Sequence, residues 1–338
     1  MILAREPTNG QIPPSPLRVT RRRPPGVAAP AVRSPSVRLD GVDRRGFLLG
    51  ATALIAAGCA RVPPPEVSGT ASATPSAPPL AIGSDGSPAG LLLAELLAGA
   101  VAAKGRAAGT APAGPDWQAS LGHGDLAALP GFGTTLWTEL SQGREAPAAE
   151  DLLPELAGLL EPEVGLLAVP GVDAGLVWLV TEETATAGIA SLTRLRGWSK
   201  GRRAAVPGPV RSRADGVPGL AAVYGAQFSY DVVDDPVQRA SRLVDGQAAV
   251  AAFRRTEYLG ASGLVALVDP DRLSAPEPGV VLVAGALSDA EPDTVLAMDA
   301  VAQAVTTDAL VDLQARVAGG GTSSEVAGEW LREQGLAA

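Results

Sequence analysis

The amino-acid sequence predicts an α/β protein. The chain has 338 residues, of which 46% are apolar, and this is enough to build a substantial hydrophobic core. From Leu80 onward, short apolar runs alternate with segments that have helical periodicity. This alternation is typical of a sheet covered by helices. We find no internal repeat of fixed period.

The first strand, turn and helix show the pattern most clearly. Leu80–Gly83 is a short apolar run, and the polar segment Ser84–Ser87 that follows it has the composition of a turn. Ser87 followed by Pro88 is typical of an N-cap and a proline at the first helical position. We therefore expect a helix from Pro88 to about Ala103, apolar on most sides and packed on the sheet.

Later segments continue the alternation. Strands are predicted at Leu166–Val169, Leu176–Val180, Ala204–Val206, Phe228–Val233, Val265–Val268 and Val280–Val283. Helices are predicted near Ala148–Leu160, Ser191–Leu195, Val217–Tyr224, Pro236–Val244 and Asp293–Val305. Thr322 and Glu325 have the spacing of a capping box, which predicts a last helix that ends near Gly335.

Charge is divided unevenly along the chain. The formal net charge is −9, but residues 1–58 hold nine arginines and three acidic residues, so the remainder carries about −15. A protein with this much negative charge lacks the basic surface that binds nucleic acid, so we expect no nucleic acid partner. Electrostatic steering would favour a cation.

The scarcity of reactive side chains excludes several kinds of site. A single cysteine, Cys59, rules out an internal disulfide and a cysteine-based metal cluster. The single histidine, His123, lies between two glycines and is expected to be a solvated loop residue. The sequence contains no nucleophile elbow, HExxH motif or phosphate loop. We therefore expect no enzyme, no catalytic residues, no metal and no cofactor.

An export signal is predicted before the folded part. Arg44 and Arg45 are followed by Gly46 and Phe47, and then by an apolar run that is too short to span a bilayer. The run ends in Ala-Ala-Gly before Cys59. This pattern resembles a twin-arginine lipoprotein signal, although Leu or Val is commoner than Ala56 at its position.

The expected order is a leader over residues 1–58, then the acylated Cys59 and a flexible linker over residues 59–79. The linker is rich in Pro, Ser, Thr and Ala and lacks periodicity. The mature protein would then be lipid-anchored on the extracytoplasmic face of the cell membrane. The alternative is an uncleaved N-terminal anchor in which Cys59 is incidental. Both alternatives place the remainder outside the cytoplasm.

Several segments, in their order along the chain, resemble the substrate-binding proteins of ABC importers for glycine betaine, choline and related osmoprotectants. The matching stretches are 82–95 (IGSDGSPAGLLLAE), 124–137 (GDLAALPGFGTTLW), 179–196 (LVTEETATAGIASLTRLR), 215–228 (DGVPGLAAVYGAQF), 243–258 (LVDGQAAVAAFRRTEY), 267–271 (LVDPD) and 306–336. Each stretch is weak alone, and their shared order makes the match specific.

This resemblance implies a two-lobed, type II periplasmic-binding-protein-like α/β fold with a ligand cleft between the lobes. It places lobe one at residues 80–172 and 279–338 and lobe two at residues 173–278. It also implies a small-molecule ligand, transport across the membrane, and a permease and an ATPase of an ABC importer as partners. The binding protein itself would perform no chemistry.

The family binds quaternary amines in a cage of aromatic rings, whose faces attract diffuse positive charge. Phe132 takes the position of a family tyrosine. The family usually places another aromatic residue around Asp173, but here none lies nearer than Trp178. The aromatic-Pro-Pro-aromatic loop of the family becomes residues 273–278, where Glu277 could supply a carboxylate. Tyr258 follows residues 254–257, where the family places ligand-contacting residues.

The expected ligand-binding residues are Ser84, Ser87, Phe132, Thr134, Asp173, Thr256, Tyr258 and Glu277. Two of these assignments have open alternatives. Phe132 is either a ligand contact or a core residue. The helix start at Ser84 and Ser87 either binds an anionic group such as a betaine carboxylate or is explained by capping alone. Trp137, Trp178 and Trp330 are expected to be core residues, and Asp234 and Asp235 to form a turn and a helix cap.

The sequence is compatible with two functions. The first is a lipoprotein that delivers a quaternary amine or another compact zwitterion to an ABC importer. The second is a degenerate relative that no longer transports and acts as an envelope interaction protein or sensor. Loss of the aromatic loop motivates the second.

Overall fold

The computed structural model describes residues 77–144 and 146–337. The expected leader, the twin arginines Arg44 and Arg45, and Cys59 all lie outside the described residues. Within them, no single helix is long and apolar enough to cross a membrane. Helices Pro292–Ala304 and Thr307–Ala318 pass that test only as a pair, by length and composition, and are bent by 94° at their junction.

The described residues form ten strands and twelve α-helices. The strands are β1 (Leu80–Ser84), β2 (Ala108–Pro112), β3 (Ala128–Phe132), β4 (Val164–Asp173), β5 (Leu176–Thr181), β6 (Arg203–Val206), β7 (Ser229–Val232), β8 (Val250–Arg254), β9 (Leu264–Ala266) and β10 (Pro278–Ala284). The helices are α1 (Pro88–Ala103), α2 (Trp117–His123), α3 (Gly133–Leu140), α4 (Ala149–Ala157), α5 (Glu182–Thr186), α6 (Leu195–Trp198), α7 (Val217–Tyr224), α8 (Pro236–Val244), α9 (Gly285–Ala290), α10 (Pro292–Ala304), α11 (Thr307–Ala318) and α12 (Ser323–Glu333). Two 3-10 turns lie at Leu192–Arg194 and Gly208–Arg211.

The strands form two five-stranded sheets with the same plan. The first has the order β2-β1-β3-β10-β4 and the second β7-β6-β8-β5-β9. In each sheet, three parallel strands are followed by an antiparallel strand and then by an edge strand. The chain leaves the first sheet through edge strand β4 and enters the second as β5. It returns from edge strand β9 into the first sheet as β10. The predicted two-lobed α/β fold is confirmed.

Two connections between the sheets run side by side and form the hinge. The Ala174 amide donates to the Glu277 carbonyl at 2.8 Å. The Asp173 Oδ1 atom accepts from the amide of Gly175 at 2.8 Å and from the amide of Glu277 at 2.9 Å. A single carboxylate oxygen therefore ties both connections together and satisfies two main-chain donors that the sheets leave unpaired.

Helix α1 lies at the centre of the larger core. Ser87 caps it by accepting from the Gly90 amide at 3.0 Å, and its bounds are those predicted from the sequence. Leucines on several sides are buried, and the helix packs against α10 and α12 as well as the first sheet. A Cβ added at Gly99 would lie 2.7 Å from a methyl carbon of Leu331. Glycine therefore permits the close approach of α1 and α12.

The second sheet carries a smaller core on each face. On one face, Trp178, Leu195 and Leu220 belong to a cluster under α6 and α7, and on the other Phe253 packs with Leu243 of α8. The expectation that Trp137, Trp178 and Trp330 are core residues is confirmed, since all three are buried.

Most predicted elements are present, with shifted ends. The segment Ser191–Leu195 is a 3-10 turn followed by the start of α6, and α4 is shorter than Ala148–Leu160. His123 is exposed as expected, but it is the last residue of α2 and not a loop residue. The capping box of Thr322 and Glu325 is confirmed.

Lobe two contains a fully buried arginine. Arg239 in α8 is 0% exposed, and its Nη1 atom donates to the carbonyls of Val233 at 2.7 Å and Asp234 at 2.8 Å. The Nη2 atom pairs with the carboxylate of Glu257, and the guanidinium lies 4.8 Å from the ring centroid of Phe253. Arg239 thus joins α8 to the segment that follows β8.

We predict that Arg239→Met lowers the free energy of unfolding by about 3 kcal/mol or more, because Glu257 loses the partner of a buried ion pair and two carbonyls lose their donors. Denaturant unfolding checks this. Arg316→Met is the control: Arg316 pairs with Asp312 and Glu333 at the surface, where such pairs contribute about 1 kcal/mol or less. Equal losses in the two variants would contradict the prediction.

Candidate functional site

The candidate site lies where the hinge meets both lobes. Lobe one contributes the end of β3 and the first turn of α3, and the returning connection contributes Glu277. Lobe two contributes the loop with Arg213 and the segment that begins with Arg254 at the end of β8. Side chains from four separate parts of the chain therefore meet beside the hinge.

Glu277 is the central buried charge of this site. It is 1% exposed, and its Oε1 atom accepts from the Thr135 amide at 2.7 Å in the first turn of α3. Its Oε2 atom lies 3.8 Å from Arg254 Nη1 and 4.0 Å from Arg213 Nη2. Burial raises the pKa of Glu277, while the Thr135 amide and the two arginines oppose that shift. Glu277 therefore bridges the lobes and presents no free carboxylate to a ligand.

Thr134 also binds the hinge connection. Its hydroxyl donates to the Pro276 carbonyl at 2.7 Å, and its side chain is buried. Thr134 and Thr135 together fix the start of α3 to residues 276 and 277. The expected role of Thr134 as a ligand contact remains a prediction, and the contact that it makes in the structure is with the main chain.

Phe132 has features both of a core residue and of a residue that contacts a cation. Its ring is 7% exposed and belongs to the core of lobe one. The guanidinium carbon of Arg254 lies 5.9 Å from the ring centroid, across the gap between the lobes. This is the geometry of a cation–π contact. A positively charged group therefore already lies over the ring, and it comes from the protein itself.

Arg254 is the arginine of this site with unused donors. Arg213 forms a bidentate pair with Asp215, with both hydrogen bonds at 2.8 Å. The guanidinium of Arg254 forms no hydrogen bond with any described residue, and its side chain is 34% exposed. Such an arginine can bind a carboxylate through two parallel hydrogen bonds.

A small cavity lies beside the two arginines. Its volume is about 90 Å³, and Arg213, Arg254 and Glu257 contribute its charged lining. Its remaining wall is formed by Ala174, Leu176, Pro207, Pro209 and Val210. Arg254 also lines a second pocket of about 490 Å³ that reaches Thr307 of lobe one. Arg254 therefore contributes to the lining of two pockets.

Sequence reasoning did not single out Arg213 or Arg254. One signal was present: Arg254 and Arg255 form a basic pair directly after an apolar strand segment. Residues at the ends of sheet strands are a common source of binding side chains. The family resemblance pointed to residues 254–257, but only Thr256 and the following Tyr258 were expected to bind the ligand.

Thr256 and Tyr258 are held mainly through their main chains. The Gln314 side-chain amide of α11 donates to the Thr256 carbonyl at 2.6 Å, and its oxygen accepts from the Tyr258 amide at 3.4 Å. Thr256 is buried. Neither residue lines the 90 Å³ cavity. Their contacts join lobe two to α11 of lobe one.

Ser84 and Ser87 have the geometry of the capping alternative. The Ser87 hydroxyl oxygen accepts from the Gly90 amide, and that of Ser84 accepts from the Gly86 amide at 3.1 Å. The Asp85 carboxylate accepts from both the amide and the hydroxyl of Ser87, at 2.9 and 2.7 Å. A protein carboxylate thus lies at the start of α1, where it would repel an anionic ligand. Neither serine lines the pockets to which Arg254 contributes.

Asp173 belongs to the hinge. Besides the two amides that it accepts from, its Oδ2 atom lies 3.4 Å from Arg255 Nε. The Thr307 hydroxyl of α11 accepts from the Asp173 amide at 2.9 Å. These contacts give Asp173 a structural explanation that needs no ligand.

We predict that Glu277→Gln stabilises the protein relative to the native chain more at about pH 7 than at about pH 4. The raised pKa means that the folded state favours the protonated carboxyl, so the contribution of Glu277 to stability is lost as the pH rises through its folded pKa. Glutamine cannot ionise and keeps an oxygen that can accept from Thr135. Denaturant unfolding at both pH values checks this.

The control is Glu325→Gln, because hydrogen bonds from Thr322 lower the pKa of the exposed Glu325 carboxyl. Its contribution to stability is therefore lost as the pH falls, and this variant should show the opposite pH trend. The same trend in both variants would contradict the assignment of Glu277 as a destabilised buried charge.

No protein-family model matches the chain, and no curated protein matches its sequence. Solved structures do match its fold. The crystal structure of a glycine betaine/carnitine/choline ABC transporter protein matches with a TM-score of 0.67 and 16% identity, over 76% of this chain and 99% of the other. Apo YehZ from Escherichia coli matches with a TM-score of 0.63 and 17% identity, over 77% and 100%.

Lactococcal OpuAC, in its closed form with glycine betaine, matches with a TM-score of 0.54 and 12% identity, over 75% of this chain and 95% of the other. At these identities the comparisons establish the architecture. The described part of the chain therefore resembles in fold the substrate-binding proteins of glycine betaine and choline ABC transporters.

Proposed function

We propose that this chain is the substrate-binding lipoprotein of an ABC importer and that it captures a compact zwitterion of the glycine betaine type. The observation that carries the proposal is Arg254, a cleft guanidinium with unused donors beside a cavity with apolar walls. A betaine carboxylate would pair with the guanidinium, and its methyl groups would contact the apolar wall. Choline has no carboxylate and is the poorer fit.

The hinge supports a clamp mechanism. Two short connections join the lobes, and contacts between the lobes include the pair of Arg254 with Phe132 and the hydrogen bonds of Gln314. Lobe closure of this kind is a hinge motion, and a ligand shifts it only through tighter contacts with the closed form. The closed form would then dock on the permease, and the ATPase would drive transport.

We predict that the folded part of the chain, truncated before Leu80, binds glycine betaine in calorimetry and becomes more compact in small-angle X-ray scattering at saturation. The reason is that a ligand between the lobes stabilises the closed form. Choline and a neutral sugar serve as comparison ligands. Binding without any change in the radius of gyration would argue against a clamp.

The anchor is proposed from Cys59 and the residues before it. Cys59→Ala should abolish acylation, because the thiol that carries the lipid is lost, and the mature protein should no longer partition into the detergent phase. Replacing Arg44 and Arg45 together by lysine should block export if the twin-arginine route is used. Acylated mature protein from the Cys59→Ala chain would refute the assigned anchor.

A non-transporting interaction protein or sensor is the second candidate. One observation favours it: Arg254 over Phe132, and Glu277 against Thr135, make protein contacts where a ligand would be expected. A folded protein that is stabilised by no osmolyte in a broad thermal-shift screen would support this candidate over the first.

A further inference from the structure

We infer that the cleft recognises a carboxylate and does not require a cationic group on its ligand, because Arg254 lies over Phe132 and leaves its own donors free. This inference rests on the proposed function and narrows it. The ligand class is a small carboxylate with a compact apolar body. Glycine betaine belongs to this class through its carboxylate and not through its ammonium.

The face of the Phe132 ring already lies against a protein cation. A quaternary ammonium is held by several rings, yet Phe132 takes part in no ring–ring contact within the described residues. Its accessible face is directed at the Arg254 guanidinium. A cation placed there would meet a like charge, and such juxtaposition is unfavourable. The ring therefore orients Arg254 and does not serve as half of an ammonium cage.

Two acidic residues near Arg254, Glu277 and Glu257, could take up its hydrogen-bond donors. Glu277 approaches it to 3.8 Å only, beyond hydrogen-bond distance, and uses Oε1 for the Thr135 amide. Glu257 pairs with the buried Arg239, and its Oε2 atom accepts from the Arg254 main-chain amide at 3.1 Å. Glu277 thus balances part of the Arg254 charge but accepts no hydrogen bond from it. Glu257 is engaged by Arg239 and by the Arg254 main chain, so the Arg254 side chain keeps its hydrogen-bond donors.

The cavity wall would contact the part of the ligand that lies beyond its carboxylate. Beyond the charged groups, the cavity wall consists of aliphatic and proline side chains. A wall of this kind offers nothing specific to a positive charge and suits methyl groups on either nitrogen or carbon. The cavity volume of about 90 Å³ suits a small ligand body.

The contributions of the carboxylate and the ammonium of glycine betaine can be tested separately with compounds in which carbon replaces nitrogen. In 3,3-dimethylbutanoate a carbon replaces the ammonium nitrogen, and 3,3-dimethylbutan-1-ol has the same relation to choline. Calorimetry with these four compounds on the native chain should give similar affinities for the two carboxylates. The two alcohols should bind at least about tenfold more weakly, because a charge-assisted hydrogen bond is lost.

Arg254→Met should weaken binding of both carboxylates at least about tenfold. The matched control is the adjacent Arg255→Met, since Arg255 pairs with Asp173 and does not line the 90 Å³ cavity; it should change affinity by less than about threefold. Melting curves without ligand verify that each variant is folded. Should Arg254→Met not fold, Arg254→Lys keeps the charge but loses the planar fork, and should also weaken both carboxylates.

The outcomes distinguish this inference from the proposed function. Binding of glycine betaine and choline without binding of 3,3-dimethylbutanoate would overturn the carboxylate requirement and leave the importer proposal standing. Binding of none of the four compounds to folded native protein would argue against both. Unchanged carboxylate affinity in folded Arg254→Met would also overturn the inference.

Discussion

The way in which the two lobes meet depends on the hydrogen bonds that Asp173 makes at the hinge. Two connections carry the chain between the sheets, and one carboxylate oxygen holds the amides of Gly175 and Glu277 beside each other. Because Glu277 is fixed there, its carboxylate reaches the first turn of α3 in one lobe and two arginines of the other. The position of Glu277 between its partners in the two lobes follows from that arrangement.

Much of the architecture could be predicted because local signals agreed with it. The N-cap at Ser87, the capping box at Thr322 and the apolar runs of β5 and β10 each specify an element by themselves. Strands β2 and β3 gave no such signal. β3 contains Pro130 and Gly131, residues that usually argue against a strand, and it is stabilised by pairing with β10, which lies more than 140 residues later.

The site was harder to predict because its residues act through partners that are distant in sequence. Glu277 was identified from a departure in a loop, but its burial and its contact with Thr135 depend on how the hinge folds. Ser84 and Ser87 were expected to face a ligand, and in the structure their hydroxyl oxygens accept from the amides of Gly86 and Gly90. Asp85 in turn accepts from Ser87. Arg254 became notable only when Phe132, from the other lobe, was found beneath its guanidinium.

The return of the chain to the first sheet has a consequence for folding during synthesis. Strand β10 lies between β3 and β4, so the first sheet is split until Pro278–Ala284 has left the ribosome. Up to that point β4 has no partner strand, and its apolar residues lack the neighbours that later bury them. Lobe one therefore completes its folding only late in synthesis, through contacts of long sequence separation that form slowly. Lobe two contains all five of its strands within one continuous segment and can form earlier.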